Sequence, residues 1–162
     1  MRTSVLIVLS LSVSCKATSR PVDGPAALAI TYDFNGSAYS GTSLATATLK
    51  TNTAGGNDLG IQASDADGHM LAIAVEPATP ASMIVAGMFV TESAAPLATF
   101  EFANGSNGTW AASGTVGGSG SITITSVTTT EIAGTFQATL VGAGSAGPGT
   151  ITNGAFDLPV TN

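Results

Sequence analysis

Apolar and polar residues alternate along the C-terminal part of the chain, between residues 119 and 160. Ile122 and Ile124 are separated by threonines and serines, and residues 132–140 carry Ile, Gly, Phe, Ala and Leu at every second position. A period of two places alternate side chains on the same face of a β-strand. The pattern therefore predicts two neighbouring strands, each with one buried face.

The spacing of these two runs also predicts how they pair. A register that puts both apolar rows on one face is strongly preferred, because a slip of one residue would separate the rows. For a hairpin centred on Thr129, the predicted partners are Ile122 with Phe136, Ile124 with Gly134, and Ser126 with Ile132.

Two earlier segments carry stronger turn signals. Asn35-Gly36 follows an alternating run and predicts a type I′ turn, which places Tyr32 opposite Tyr39. Farther along, a three-residue loop at 66–68 needs a left-handed residue at its last position, where Gly68 stands. The predicted partners across this second hairpin are Ala63 with Leu71, Ile61 with Ile73, and Leu59 with Val75.

The middle of the chain predicts further strands and curved sheets. Residues 83–91 are apolar on both faces, which suggests a strand buried on both sides or at an interface, and residues 97–103 place two Phe on one face. Glycine lets a strand coil, and a nearby aromatic ring covers the gap that it leaves. Three strands show this combination, at Gly87-x-Phe89, Gly134-x-Phe136 and Gly154-x-Phe156.

These patterns define the fold class. Thr, Ser, Ala, Gly and Val dominate the chain, whereas the strong helix formers are scarce. We therefore predict a single all-β domain over residues 27–162. About ten strands would form an antiparallel hairpin meander, closed into a β-sandwich or a flattened barrel.

The C-terminal strands also carry a signature. It consists of Ser-Ile-Thr-Ile-Thr-Ser at 121–126, Ile-Ala-Gly-Thr-Phe at 132–136 and Ile-Thr-Asn-Gly-Ala-Phe at 151–156, with weaker echoes at 34–36 and 87–90. It resembles the C-terminal signature of a family of uncharacterised bacterial exported lipoproteins. The resemblance implies an all-β exported domain and brings no catalytic residues with it.

The N-terminus has the features of a secretory signal peptide. Residues 1–14 contain one Arg, a short apolar core and small residues before Cys15, the only cysteine in the chain. Such an apolar run is too short to span a bilayer. Residues 12–15 resemble a lipobox, although Ser12 stands where Leu is usual. We predict lipid attachment at Cys15; the alternative is a secreted protein cut at the same bond.

The residues after the cysteine suggest where the protein is held. Residues 15–26 contain two prolines and no apolar periodicity, which predicts a flexible tether. Lys16 stands where Asp would retain a lipoprotein at the inner membrane in the enterobacterial scheme, so we expect the outer membrane. Beyond residue 20 the chain contains ten Asp and Glu residues and only one cationic residue, Lys50. This acidity argues against a nucleic acid partner and against an anionic membrane surface.

Candidate chemistry is sparse. The only histidine, His69, lies opposite Asp65 in the predicted hairpin, which could form an acid/base pair, a metal-ligand pair or a simple hydrogen bond that closes the hairpin. Residues 65–68 begin like a calcium loop but lack its third ligand and distal Glu, so a turn is expected. No nucleophile elbow, second histidine or phosphate loop is present. We expect no enzyme, cofactor or metal.

The sequence therefore predicts a membrane-anchored envelope lipoprotein that is a non-enzymatic structural or interaction module, with an envelope protein or a glycan as candidate partner. The alternative is a small-ligand or carbohydrate-binding β domain. It would need an apolar cavity or an exposed aromatic platform built from Trp110, Tyr39 or Tyr32. An enzyme would need two carboxylates, or Asp65 and His69, converging in a cleft.

Overall fold

The computed structural model of the chain describes residues 29–91 and 97–161, and eleven β-strands lie within these two ranges. They are β1 (Ala29–Phe34), β2 (Ser37–Ser40), β3 (Leu44–Thr51), β4 (Asn57–Ser64), β5 (His69–Glu76), β6 (Gly87–Val90), β7 (Leu97–Asn104), β8 (Thr109–Ala112), β9 (Ser119–Val127), β10 (Glu131–Gly142) and β11 (Gly149–Thr161). The all-β prediction is confirmed. Nowhere in these ranges is there a helix of the length and apolarity that crossing a bilayer requires.

Hydrogen bonds close most of the strands into a ring. The ring runs β3, β4, β5, β7, β6, β9, β10, β11 and back to β3. Strand β8 bridges β7 and β10, while β1 and β2 extend from β11. This arrangement is consistent with the predicted sandwich or flattened barrel, and the apolar faces of the strands meet in one buried core.

The pairing is mostly, but not wholly, antiparallel. The runs β3-β4-β5 and β9-β10-β11 are antiparallel meanders, as predicted. Two pairings are parallel: β11 with β3 at Val160 and Ala47, and β6 with β7 at Val90 and Leu97. Strands β3 and β11 are far apart in sequence, and β6 and β7 are consecutive but run in the same direction instead of forming a hairpin, so the local alternation did not predict these pairings. The sheet is therefore mixed.

The two turn-based hairpins have the predicted registers. Asn35 and Gly36 have φ values of 49° and 82°, and Tyr32 pairs with Tyr39. In the β4–β5 hairpin Gly68 has the expected positive φ of 83°. The partners there are Ala63 with Leu71, Ile61 with Ile73, and Leu59 with Val75.

The C-terminal hairpin follows its predicted register only in part. Ile122 pairs with Phe136 and Ile124 with Gly134, as expected. The prediction that Ser126 faces Ile132 is wrong, because β9 bulges between Ile124 and Ser126 and shifts the outer pairs by one residue. Beyond the bulge, Ser126 pairs with Ala133 and Val127 with Ile132. The shift sets an apolar side chain opposite Ile132 in place of a serine.

For residues 83–91, the predicted burial on both sides is wrong, whereas the alternative, a strand at an interface, stays a prediction. The strand there is confined to Gly87–Val90, and only one side of the segment is buried. Ile84 and Phe89 point into the core, whereas Met83, Val85 and Met88 are 57%, 61% and 65% exposed. The apolar composition therefore reflects a segment with one buried and one solvent-facing side.

Glycines and phenyl rings face each other across β10 and β11. Gly134 pairs with Phe156, and Phe136 pairs with Gly154. A Cβ on Gly134 would come within 2.7 Å of the Phe156 ring, and one on Gly154 within 2.6 Å of the Phe136 ring. Aromatic cover of a strand glycine is thus confirmed at these two places. Nothing lies within 4 Å of such an atom on Gly87, where the prediction is wrong.

Candidate functional site

Asp65 and His69 meet at the tip of the β4–β5 hairpin, as the register predicted. Asp65 Oδ1 accepts hydrogen bonds from the backbone N–H groups of Asp67 (2.9 Å) and His69 (3.0 Å). Its other oxygen, Oδ2, lies 2.6 Å from His69 Nδ1. Because an ionised carboxylate can only accept hydrogen bonds, Nδ1 carries the proton in this contact.

These contacts determine the charge state of Asp65. Partial burial of its carboxylate opposes ionisation. Hydrogen bonds from the His69 ring and from the backbone N–H groups of His69 and Asp67 outweigh that effect, so the pKa of Asp65 is held below its usual value. Asp65 therefore acts as an ionised acceptor that closes the hairpin.

The same turn brings three potential metal-ligating groups together. Ligand atoms of Asp65, Asp67 and His69 lie within 4.8 Å of one another. Both oxygens of Asp65 and the His69 Nδ1 are, however, engaged in the hairpin contacts. All three side chains come from a single turn, whose own hydrogen bonds account for the arrangement.

An aromatic cluster packs against the His69 ring. Tyr39 meets it edge-on with 4.7 Å between centroids, and Phe102 lies parallel to it at 6.3 Å. Tyr39 also stacks on Tyr32 at 5.5 Å. Burial raises the pKa of the Tyr32 hydroxyl well above its usual value, and the nearby Asp65 carboxylate adds to this effect. Tyr32 is therefore a neutral phenol at physiological pH.

Trp110 belongs to the same cluster, which it joins through Phe34 at 5.0 Å and Phe102 at 6.0 Å. Its indole Nε1 donates a 2.8 Å hydrogen bond to the carbonyl of Gly147, and the side chain is only 9% exposed. Trp110 and Tyr32 are both buried, so neither contributes an open face for stacking on a sugar ring. Of the three aromatic residues considered for a platform, only Tyr39 is partly exposed.

A pair of acidic residues was not identified from the sequence. Hydrogen bonding with the nearby Asp157 carboxyl group, followed by the repulsion between the two negative charges, raises the pKa of Glu131. Asp157 Oδ1 is buried without a hydrogen-bond partner. The two residues come together because Ala133 pairs with Asp157 across β10 and β11. Only a prediction of that strand register could have revealed the pair.

The predicted site residues thus differ in outcome. Asp65 and His69 come together, and Trp110 lies in the aromatic cluster that packs on His69. Cys15 and the leader lie outside the described residues. Comparisons with protein-family models, curated proteins and solved structures found no match to the chain. The resemblance to exported lipoproteins therefore stays a prediction.

The Asp65 contacts predict a pH-dependent stability. The lowered pKa means that Asp65 stabilises the fold above its unfolded-state pKa, about 3.9, and that this contribution is lost as the pH falls through the lower folded-state value. We expect Asp65→Ala to lower the free energy of unfolding by about 1–2 kcal/mol at pH 7. The difference from the parent should shrink below pH 4 in urea titrations across this range. Asp67→Ala, in the same turn, is the matched control, and an equal loss there would contradict the assignment.

Proposed function

We propose that this chain is a membrane-anchored lipoprotein of the bacterial envelope, whose β domain is a non-enzymatic structural or interaction module. The observation that carries the proposal is the position of the lone Cys15, directly after a short apolar leader and small residues. A thiol at that position is suited to lipid attachment. Lys16 favours the outer membrane, and secretion without an anchor is the alternative.

The proposed non-enzymatic role is supported by the structural contacts of His69 and Asp65, the candidate acid/base residues. The only histidine of the chain is hydrogen-bonded to Asp65 and packs against Tyr39 and Phe102. The Asp65 carboxylate in turn fixes the backbone of its own hairpin. Side chains that stabilise the fold through such contacts favour a structural role over a catalytic one. The acidity of the domain favours a protein or glycan partner over nucleic acid.

The anchor can be tested directly in cells that process bacterial lipoproteins. We expect the parent to incorporate an alkyne-tagged fatty acid and to sediment with membranes. Cys15→Ser should abolish the label and release the protein, with an unchanged melting temperature. The matched control is Ser12→Leu, which restores the usual lipobox residue and should retain the label. A parent without label, or a Cys15→Ser variant that stays with the membrane, would refute the lipoprotein assignment.

A further inference from the structure

Three exposed apolar side chains are concentrated in one short segment. In the part of the chain that the structure describes, seven large apolar residues are exposed, and Met83, Val85 and Met88 fall within six positions of one another. We refer to these three as the Met83–Met88 patch. Each is more than half exposed. Exposed apolar side chains this near to one another in the chain make the segment a candidate contact surface.

The backbone that carries the patch is fastened to the body of the domain. The N–H of Ile84 donates a 2.6 Å hydrogen bond to Asn57 Oδ1, and the N–H of Asn57 donates to the carbonyl of Ser82 at 3.2 Å. Ile84 is buried between the exposed Met83 and Val85, and Phe89 is buried directly after the exposed Met88. The segment therefore holds its apolar side chains outward on an anchored backbone.

The patch lies toward the end of the sheet at which β1 begins. Four antiparallel pairings separate β6 from β1, through β9, β10 and β11, so β6 and β1 run in the same direction. One row of paired residues crosses these strands: Gly87, Ile124, Gly134, Phe156 and Ile30. The start of β1 at Ala29 and the residues that precede Gly87 therefore lie toward the same end of the sheet.

We propose that the Met83–Met88 patch rests on the surface of the membrane that carries the lipid anchor, and this inference depends on the proposed function. The chain between Cys15 and Ala29 can reach at most about 50 Å when extended. Such a tether keeps the domain near the bilayer without orienting it. Insertion of Met83, Val85 and Met88 at the lipid interface would supply the orientation, with this end of the sheet facing the membrane.

The charges at this end define the kind of lipid surface. Glu131 begins β10, Glu76 ends β5, Asp157 pairs with Ala29, and Asp58 pairs with Lys50, the only Lys or Arg among the described residues, so carboxylates outnumber cations at this end. These carboxylates would be repelled by anionic headgroups. The partner is therefore a zwitterionic phospholipid surface that is contacted through apolar side chains, and the contact should be insensitive to salt.

Tryptophan substitutions on vesicles test this orientation. Val85→Trp places a fluorophore in the patch, and Val116→Trp is the matched control at similar exposure (61% against 55%). Val116 lines the same shallow surface depression as Val141, near the other end of β10. Native Trp110 contributes the same background fluorescence in both variants. The protein is anchored to phosphatidylcholine vesicles with brominated acyl chains, through its natural lipid or through a maleimide phospholipid coupled to Cys15. We expect a blue shift and a loss of emission for Val85→Trp alone.

The possible outcomes separate this inference from the proposed function. Equal emission from the two anchored variants would overturn the membrane contact even if cells lipidate Cys15. Absence of the cellular lipid would overturn the proposed function, while the maleimide-anchored protein still tests the patch. A blue shift without vesicles that grows with protein concentration would assign the patch to a second copy of the chain. Quenching that needs anionic lipid and disappears at high salt would also contradict the proposal.

Discussion

Phe136→Ala is expected to lower the free energy of unfolding by about 3–5 kcal/mol, a large share of the stability of a domain of this size. Phe136 is 4% exposed and lies opposite Ile122 across the β9–β10 ladder. Its ring packs 6.3 Å from that of Phe156 and 6.1 Å from that of Tyr32. Truncation would open a cavity at this junction and uncover Gly154, against which the ring lies.

The control for this variant is its neighbour on the same strand. Thr135 is exposed on the opposite face of β10, so Thr135→Ala should cost well under half as much. Urea titrations of the two variants would give the comparison. A loss at Thr135 that equals the loss at Phe136 would mean that both faces are covered, and hence that a partner or a second copy packs on the threonine side.

The hairpins could be predicted because their geometry is local. The Asn35-Gly36 turn and the loop that ends at Gly68 both contain residues that tolerate positive φ. In each case the turn position agrees with the register that puts the apolar rows of the two strands on one face. Together these two signals permit only one register. The registers of both hairpins are confirmed. The contact between Asp65 and His69 follows from the same parity, so the sequence predicted it too.

Several features of the fold were missed because the alternation of apolar and polar residues does not report them. The β3–β11 pairing joins strands far apart in sequence, whereas the bulge in β9 and the parallel β6–β7 pairing are local departures from simple hairpin pairing. Residues 83–86 run across the start of β4, where Asn57 binds them, so their apolar character did not indicate a strand. The sequence alone does not distinguish an apolar residue that faces solvent from one that faces the core.

The surroundings of the candidate site could not be predicted from the sequence, because they depend on contacts between strands that are distant in sequence. The aromatic cluster around His69 draws Tyr39, Phe102 and Trp110 from three different strands. Which rings meet depends on how β1, β2, β7 and β8 are ordered around the core. The sequence could propose Trp110 as a ligand-binding residue, but only the assembled sheet shows that its indole is buried and bonded to Gly147.

Gly134→Ala is expected to be strongly destabilising, although it adds only a methyl group. A Cβ at Gly134 would collide with the carbonyl oxygen of Thr123 and would come within 2.7 Å of the Phe156 ring. Gly134 does not have a positive φ, so the penalty is steric. Overpacking of this kind costs about 1–3 kcal/mol, or more where the backbone cannot move.

The matched control is Gly87→Ala, the corresponding position of another Gly-x-Phe pair. Gly87 also lies in a strand without a positive φ, and nothing lies within 4 Å of where its Cβ would be. We expect this variant to change the free energy of unfolding by no more than about 0.5 kcal/mol. Urea midpoints of the two alanine variants would measure the difference, and equal midpoints would contradict the close approach at Gly134.

A second substitution identifies which contact at Gly134 is decisive. Phe156→Leu shortens the side chain that covers Gly134 and would relieve the ring contact, but it leaves the Thr123 carbonyl in place. That oxygen belongs to the backbone of β9, which is hydrogen-bonded to β10 and cannot withdraw without breaking the ladder. Gly134→Ala should therefore remain destabilising in the Phe156→Leu background. A recovery of stability in the double variant would show instead that the phenyl ring is the obstacle, and that the spacing of β9 and β10 can adjust.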